Sequence, residues 1–382
     1  MSLERIVFEM YDIIFIISHR PDVRYRKRLE LLSSCYKVAL VYWNKNKNKE
    51  DFSFDGIDIY EIHIPSHRSN PLKRVPQTLL FCCKVTKLLK DLCSRFLYVG
   101  NLDMLFIAAK YKKKHPEVKI YYEIADLHRL IIDTQNTSMK KAVSFFLKRA
   151  EKALIKYVDK LVVTSRKFYT EYYCDLIEMS NVLYMPNMPQ NKFFSDFVKK
   201  EHGEFTIGFV GVLRYEQQLQ MLIDATDELG IHVVIAGESL SEKDYRKHFD
   251  KYDHVEYLGG YDFKRDIKNI YAIIDVIYSV YDASMKNVRL ALPNKLYEAT
   301  LCEIPIIVAD QTYLAEIVRD HKIGVAVGFN DKNALKRVLY KLKNDRSFYN
   351  SFVEGCRSSK SLVDMDYYNN LLLKSFGGWV DV

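Results

Sequence analysis

Short apolar runs alternate with longer stretches of helical period along the whole chain. In the first half the runs are Asp12–Ile17, Lys37–Tyr42, Ile57–Ile62, Phe96–Val99, Val118–Glu123, Lys160–Thr164 and Val182–Met185. They are rich in Val, Ile and Tyr, as strands are. Between most of them the spacing predicts helices over Tyr25–Ser34, Val75–Cys93, Leu102–Lys114 and Lys140–Tyr157. Pro186 and Pro189 then break the pattern, and a polar stretch runs on to Gly203. The alternation restarts with strands over Phe205–Val210, His232–Ala236, Val255–Leu258, Asp275–Ser279, Ile304–Val308 and Val325–Val327. Its helices are Gln217–Leu229, Lys264–Ile270, Asn294–Cys302 and Asn333–Lys343, with one more over Tyr367–Ser375.

This βα alternation predicts parallel sheets covered on both faces. The expected class is α/β, with two tandem doubly wound, Rossmann-like domains facing across a cleft. The expected divisions are a domain over 1–190, a linker over 191–203, a second domain over 204–360 and a C-terminal helical segment over 361–382 that packs back on the first. A length of 382 residues suits two domains, since one domain takes about 100–200. In open sheets of this kind ligands bind beyond the carboxyl ends of the strands.

Composition adds two constraints. Seven cysteines with no Cys-x-x-Cys pair read as reduced, mostly buried thiols. No apolar run approaches the roughly 18–20 residues that span a bilayer, and the run Ile13–Ile17 is too short for a signal peptide. The expected location is the cytoplasm, or the inner face of the cell membrane as a peripheral protein. The net charge of +8 is uneven, with +13 over residues 1–200 and −5 over the rest. A basic first half points to an anionic partner such as a lipid surface. Basic clusters occur at Lys84, Lys87 and Lys90, at Arg24 to Arg28, and at Lys110 to Lys114. No nucleic-acid-binding motif accompanies them, so no nucleic-acid partner is expected.

Two segments carry candidate chemistry. The strand Phe205–Val210 ends at Gly211, and Arg214 follows before a helix. A glycine there lets a ligand approach the backbone, and an arginine near a helix start suits a phosphate. A strand-ending turn with a surface arginine would read the same way. The second segment is Leu292-Pro293-Asn294-Lys295-Leu296-Tyr297-Glu298-Ala299. Pro293 marks a helix start, which places Asn294 and Lys295 where free N–H groups favour an anion. Glu298, one turn on, offers a carboxylate to the two hydroxyls of a ribose. An ordinary helix with surface charges is the alternative. His19 and Arg20 follow the first strand and are candidates for contact with either substrate.

Taken together, Gly211-x-x-Arg214, Leu258-Gly259, Asp275, Pro293 to Ala299 and Ile304-Pro-Ile-Ile resemble the nucleotide-sugar-binding domain of GT-B glycosyltransferases. The set is most similar to glycosyltransferase family 4, whose members often build bacterial surface polysaccharides such as capsule. In the first half Asp22-Val-Arg24, Tyr121 to Leu127, Val162 to Ser165 and Met185-Pro-Asn187 resemble the same family. The resemblance implies transfer of a sugar from a nucleotide-diphosphate donor, UDP-linked by expectation, to a glycan or lipid-linked acceptor. It implies retention at the anomeric carbon and no cofactor or metal.

It also implies roles. Gly211, Arg214, Pro293, Asn294, Lys295, Leu296 and Glu298 would bind the donor. Arg214 and Lys295 would meet the diphosphate, and Asp126 and Glu123 would serve the reacting sugars. His19, Arg20 and His128 would lie on the acceptor side, with Lys84 and Lys87 toward a membrane. Three positions depart from the family pattern. Leu290 stands where a first glutamate is expected, Gln217, Gln218 and Gln220 occur where a lysine is, and Ala125 replaces a histidine. A nucleotide-sugar epimerase of related fold and a transferase that binds without turnover are the alternatives. Asp364-Met-Asp366 resembles a metal motif of another fold but is expected to cap the last helix.

Overall fold

The computed structural model describes residues 9–46, 52–66, 71–127, 132, 137–239 and 245–377. The chain divides into two compact units, Met1–Met185 with Asn369–Val382, and Pro186–Tyr368.

The first unit is built on β1 (Glu9–Ile17), β2 (Val38–Asn44), β3 (Ile57–His63), β4 (Leu92–Gly100), β5 (Lys119–Ile124), β6 (Lys160–Val163) and β7 (Val182–Tyr184). Their order is β3-β2-β1-β4-β5-β6-β7 and every neighbouring pair is parallel. The helices used below are α1 (Val23–Ser33), α2 (Pro71–Leu88), α3 (Leu102–Lys112) and α4 (Ser138–Ile155). Ile13 to Ile17 of β1 are fully buried. Such an unbroken apolar run is what a parallel strand covered on both faces requires. Strand order reverses between β1 and β4, where the chain leaves the sheet in opposite directions and a crevice opens.

The second unit holds β8 (Thr206–Val210), β9 (His232–Ala236), β10 (Val255–Gly259), β11 (Val276–Ser279), β12 (Ile306–Ala309) and β13 (Gly324–Val327), ordered β10-β9-β8-β11-β12-β13 and again parallel. Its helices are α5 (Glu216–Asp227), α6 (Phe263–Ala272), α7 (Asn294–Cys302), α8 (Tyr313–Asp320), α9 (Lys332–Asn344) and α10 (Arg346–Ser358). Alternate strand residues feed two cores. Val234 and Ala236 join one, and Val233 and Ile235 join the other. That is the two-residue period of a strand buried on both faces.

Four local expectations differ from the structure. Of the seven cysteines, expected to be mostly buried, only Cys302 and Cys356 are, while Cys35, Cys83 and Cys174 are exposed. The helix expected over Val75–Cys93 ends at Leu88, because Leu92 and Cys93 already belong to β4. The stretch 191–203, read as a linker, packs into the second unit. Phe194 is buried in its core and Phe193 and Phe197 lie against it. Three phenylalanines among polar residues are enough to dock it. Of the Arg24 to Arg28 cluster, Arg24 and Arg28 are buried, since both face the Glu123 carboxylate.

The last helix, α11 (Met365–Gly377), is capped by Asp364, whose Oδ1 accepts from the Tyr367 N–H at 2.9 Å. Its end belongs to the first unit. Phe376 is fully buried and stacks on Tyr121 with centroids 4.2 Å apart, and the Tyr121 hydroxyl donates to the Ser375 carbonyl at 2.7 Å. Phe376→Ala should therefore destabilise the first unit by about 3–5 kcal/mol. Urea unfolding checks this, and an unmoved midpoint would detach the helix from that core.

Candidate functional site

In the second unit, chemistry gathers at the carboxyl end of β8. Gly211 leaves that strand with φ +140° and Gly237 leaves β9 with φ +143°, a region that favours glycine. A Cβ on Gly237 would fall 1.8 Å from the Gly211 carbonyl oxygen, so the two turns press backbone on backbone. The Gly211 N–H donates to the Ala236 carbonyl, and the Leu213 N–H to that of Glu238. On its other side Gly211 faces Lys295, whose Cε would lie 3.7 Å from an added Cβ.

Lys295 comes from the first turn of α7. Pro293 is the residue before that helix, with extended backbone and no side-chain cap; the Leu296 N–H donates to the Pro293 carbonyl at 3.2 Å, which leaves the N–H groups of Asn294 and Lys295 as the helix-start donors. Asn294 begins the helix, and Leu296 points into the core. Lys295 and Glu298 are buried together at 7% and 1% exposure. The Lys295 ammonium donates to Glu298 Oε2, and the Tyr271 hydroxyl donates to the same oxygen at 2.5 Å. Burial alone would pull the lysine down, but the Glu298 charge outweighs it and holds Lys295 above its ordinary value. Glu298 was expected to face a ribose. One of its oxygens is committed to Lys295 and Tyr271.

Arg214 is exposed beyond Leu213 and has no ion-pair partner among the described residues. Two of the three glutamines at the expected lysine position are structural. Gln218 is buried and donates to the Phe329 carbonyl, and Gln220 donates to Asp224 and Tyr252. Gln217 is exposed, and Leu290 ends a short helix over Lys286–Leu290.

In the first unit a cavity of about 630 Å³ opens at the carboxyl ends of β1, β4 and β5, where the strand order reverses. His19, Asp22 and Arg24 line it after β1, Asn101 and Asp103 after β4, and Ala125 and Asp126 after β5. The Glu123 side chain is fully buried. Its Oε2 accepts from the Tyr98 hydroxyl at 2.6 Å, and its Oε1 lies 3.2 Å from Arg24 Nε. Burial would depress Arg24, but Glu123 outweighs that and holds it above its usual range. Burial would likewise raise Asp22, yet the His19 hydrogen bond and the Arg24 charge keep it well below the usual carboxylate range. Glu123 thus anchors a cation instead of offering an open carboxylate, while Asp126 is exposed at the rim.

The His19 ring stands edge-on to Tyr25 with centroids 5.7 Å apart. Arg20 lies over the Phe52 ring at 5.0 Å. Lys84 and Lys87 are exposed on α2, and neither lines the cavity. His128 lies outside the described residues.

Several residues escape a reading of the sequence. Gly237 carries the same strand-end signal as Gly211 and could have been found. Asn101 has φ +71° and donates from Nδ2 to Ser18 Oγ at 3.0 Å. Asp103 is pushed up by burial. A polar pair after an apolar strand is the only hint of them. Nothing local marks Tyr271.

Residues 190–358 match the family model described as glycosyl transferases group 1. No curated protein matches the sequence. The fold is similar to sucrose-phosphate synthase from Thermosynechococcus elongatus, at TM-score 0.73 and 13% identity over 96% of this chain and 98% of that one. It is also similar to Anabaena Alr3699/HepE in complex with UDP-glucose, at 0.69 and 15% over 96% and 100%. A third likeness is WaaG, a glycosyltransferase involved in lipopolysaccharide biosynthesis, at 0.65 and 13% over 97% and 100%. That family match lies within the second unit, and the two parallel-sheet units are those of the GT-B fold.

Lys295→Met would strand the Glu298 carboxylate in the core. It should cost about 3–5 kcal/mol in urea unfolding, and adding Glu298→Gln should recover most of the loss. A double variant as unstable as the single one would show that the two charges do not depend on each other.

Proposed function

We propose that this glycosyltransferase moves a sugar from a nucleotide-diphosphate donor, held by the second unit, to a glycan acceptor held by the cavity of the first. The observation that carries the reading is the juxtaposition of Gly211, the uncapped start of α7 and the unpaired Arg214 in a group 1 domain. An open backbone turn, free N–H groups and a cation are what a diphosphate needs. The HepE fold relative holds UDP-glucose, which makes UDP the first nucleotide to test.

Breaking the bond from the anomeric carbon to the phosphate oxygen leaves both bonding electrons on the diphosphate. Arg214 and the α7 N–H groups stabilise that charge without moving. Lys295 contributes less than its formal charge, because Glu298 neutralises part of it. The acceptor oxygen bonds to the anomeric carbon, and its proton passes to the departing phosphate oxygen on the same face. That route retains the anomeric configuration and uses no carboxylate nucleophile. Glu298 keeps Oε1 for a ribose hydroxyl. Asp126 accepts a hydrogen bond from an acceptor hydroxyl.

The acceptor is read as lipid-linked, as in bacterial surface glycan synthesis of the family 4 type. The enzyme then works at the cytoplasmic face of a membrane. The basic first unit supports this.

Arg214→Ala should weaken UDP binding by about 1.5–3 kcal/mol, the value of hydrogen bonds to a charged group. Its melting temperature should stay unchanged, since the side chain is exposed. Calorimetric titration of UDP decides it, and equal affinity would remove Arg214 from the site. Asp126→Asn should leave UDP affinity intact and lower transfer to acceptor by about 1.5–3 kcal/mol in kcat/KM. A loss of UDP affinity instead would place Asp126 on the donor.

A further inference from the structure

The helix α4 is inside out. A surface helix of a globular protein buries its apolar stripe and turns its charges to water. Here the buried residues are Ser144, Glu151 and, at the last turn, Ile155, while Met139, Val143, Phe145 and Phe146 are exposed. Phe146 and Met139 are each 67% exposed, and Met139, Val143 and Phe146 form one stripe by helical period. A polar anchor holds the helix in this orientation. Glu151 Oε1 accepts from the Tyr173 hydroxyl at 2.9 Å and from the Tyr122 hydroxyl at 3.1 Å.

The neighbouring helices continue the face. α3 packs beside both α2 and α4. Phe106 of α3 is 57% exposed, and Val75, Leu79 and Leu80 of α2 are exposed as well. The exposed charges on α2 and α4 have one sign, and the one carboxylate of α3, Asp103, lines the cavity. α2 contains no Asp or Glu, and the one carboxylate of α4 is the buried Glu151. Lys140, Lys141, Lys148 and Arg149 flank the α4 stripe, and Lys84 and Lys87 lie on α2, all of them exposed.

We infer that α2, α3 and α4 form a face that docks on an anionic bilayer, with Phe145 and Phe146 entering the lipid interface. Aromatic and aliphatic residues edged by lysine and arginine are what an interfacial helix presents. A second copy of this chain fits the face poorly, because a two-fold contact would set like charges against each other. No helix among the described residues is long and apolar enough to cross the membrane. The inference rests on the reading of the cavity as the acceptor site and deepens it. Thr78 of α2, Asp103 of α3 and Leu147 of α4 line that cavity. The helices that meet the bilayer therefore border the pocket that receives a lipid-linked glycan.

The test is sedimentation of the full chain with phosphatidylcholine vesicles, with and without about 30% phosphatidylglycerol, at low and high salt. Wild type should bind the anionic vesicles at low salt and not the neutral ones. Phe145→Ser with Phe146→Ser, and separately Lys140→Glu with Lys141→Glu, should each reduce binding at least about tenfold. UDP-induced thermal shifts are measured on the same samples and should match wild type in both variants, showing that both are folded. Unchanged vesicle binding in either folded variant overturns the inference. So does self-association of the wild type that the phenylalanine variant abolishes, since a second copy would then cover the face. Vesicle binding without any UDP shift in wild type would sink the donor reading and leave the docking face standing.

Discussion

Covering both faces of each parallel sheet is the constraint from which the rest follows. Strands such as β1 and β9 have no solvent face, so they cannot carry polar chemistry along their length. Polar groups collect at the strand ends instead. Within each unit they collect where the strand order reverses, between β1 and β4 and between β8 and β11. Both places bring charge next to a dry core, and both solve the problem alike. Glu123 is held by Tyr98 and Arg24, and Glu298 by Tyr271 and Lys295. A buried carboxylate left unpaired costs several kcal/mol, so each glutamate fixes the position of a cation. The cation is what reaches the site.

This pairing changes which residues can act. A carboxylate in a promising motif invites a catalytic role, and both Glu123 and Glu298 sit in such motifs. Their burial gives most of their capacity to neighbouring protein groups. The exposed charged groups at these strand ends are Arg214 and Asp126. With Gln218 and Gln220 turned to structural work at the expected lysine position, little cationic charge is available at the proposed diphosphate site. On the proposed reading, Arg214 carries a larger share of the leaving-group charge than it would beside a free lysine.

The strands were legible because they are unbroken apolar runs bounded by polar residues. Helix ends were less so where helix and strand abut, as at Leu88 and Leu92. α8 went unread because it has only eight residues, and α10 because a single residue, Asp345, separates it from α9. In the site, Gly211 and the Pro293 helix start were visible as local signals. Tyr271 was not, because a tyrosine 27 residues from Glu298 shows no charge or spacing until the sheet brings α6 against α7. Arg24 and Arg28 looked like surface charge for the same reason. Their partner Glu123 lies on β5, about a hundred residues away, and only the fold makes the pair.

The inverted α4 shows the same limit from the other side. Its sequence reads as an ordinary amphipathic helix, and a pattern of period 3.6 does not say which face is inward. Burial of Glu151 decides that. Two tyrosine hydroxyls satisfy the carboxylate on the protein side, and burial pushes its carboxyl upward. Rotating the helix to hide Phe145 and Phe146 would expose Glu151 and strand both hydroxyls in the core, where an unpaired polar group is costly. The anchor therefore keeps an apolar face in water, which is disfavoured unless something else covers it. An anionic bilayer covers it without moving the helices that frame the cavity.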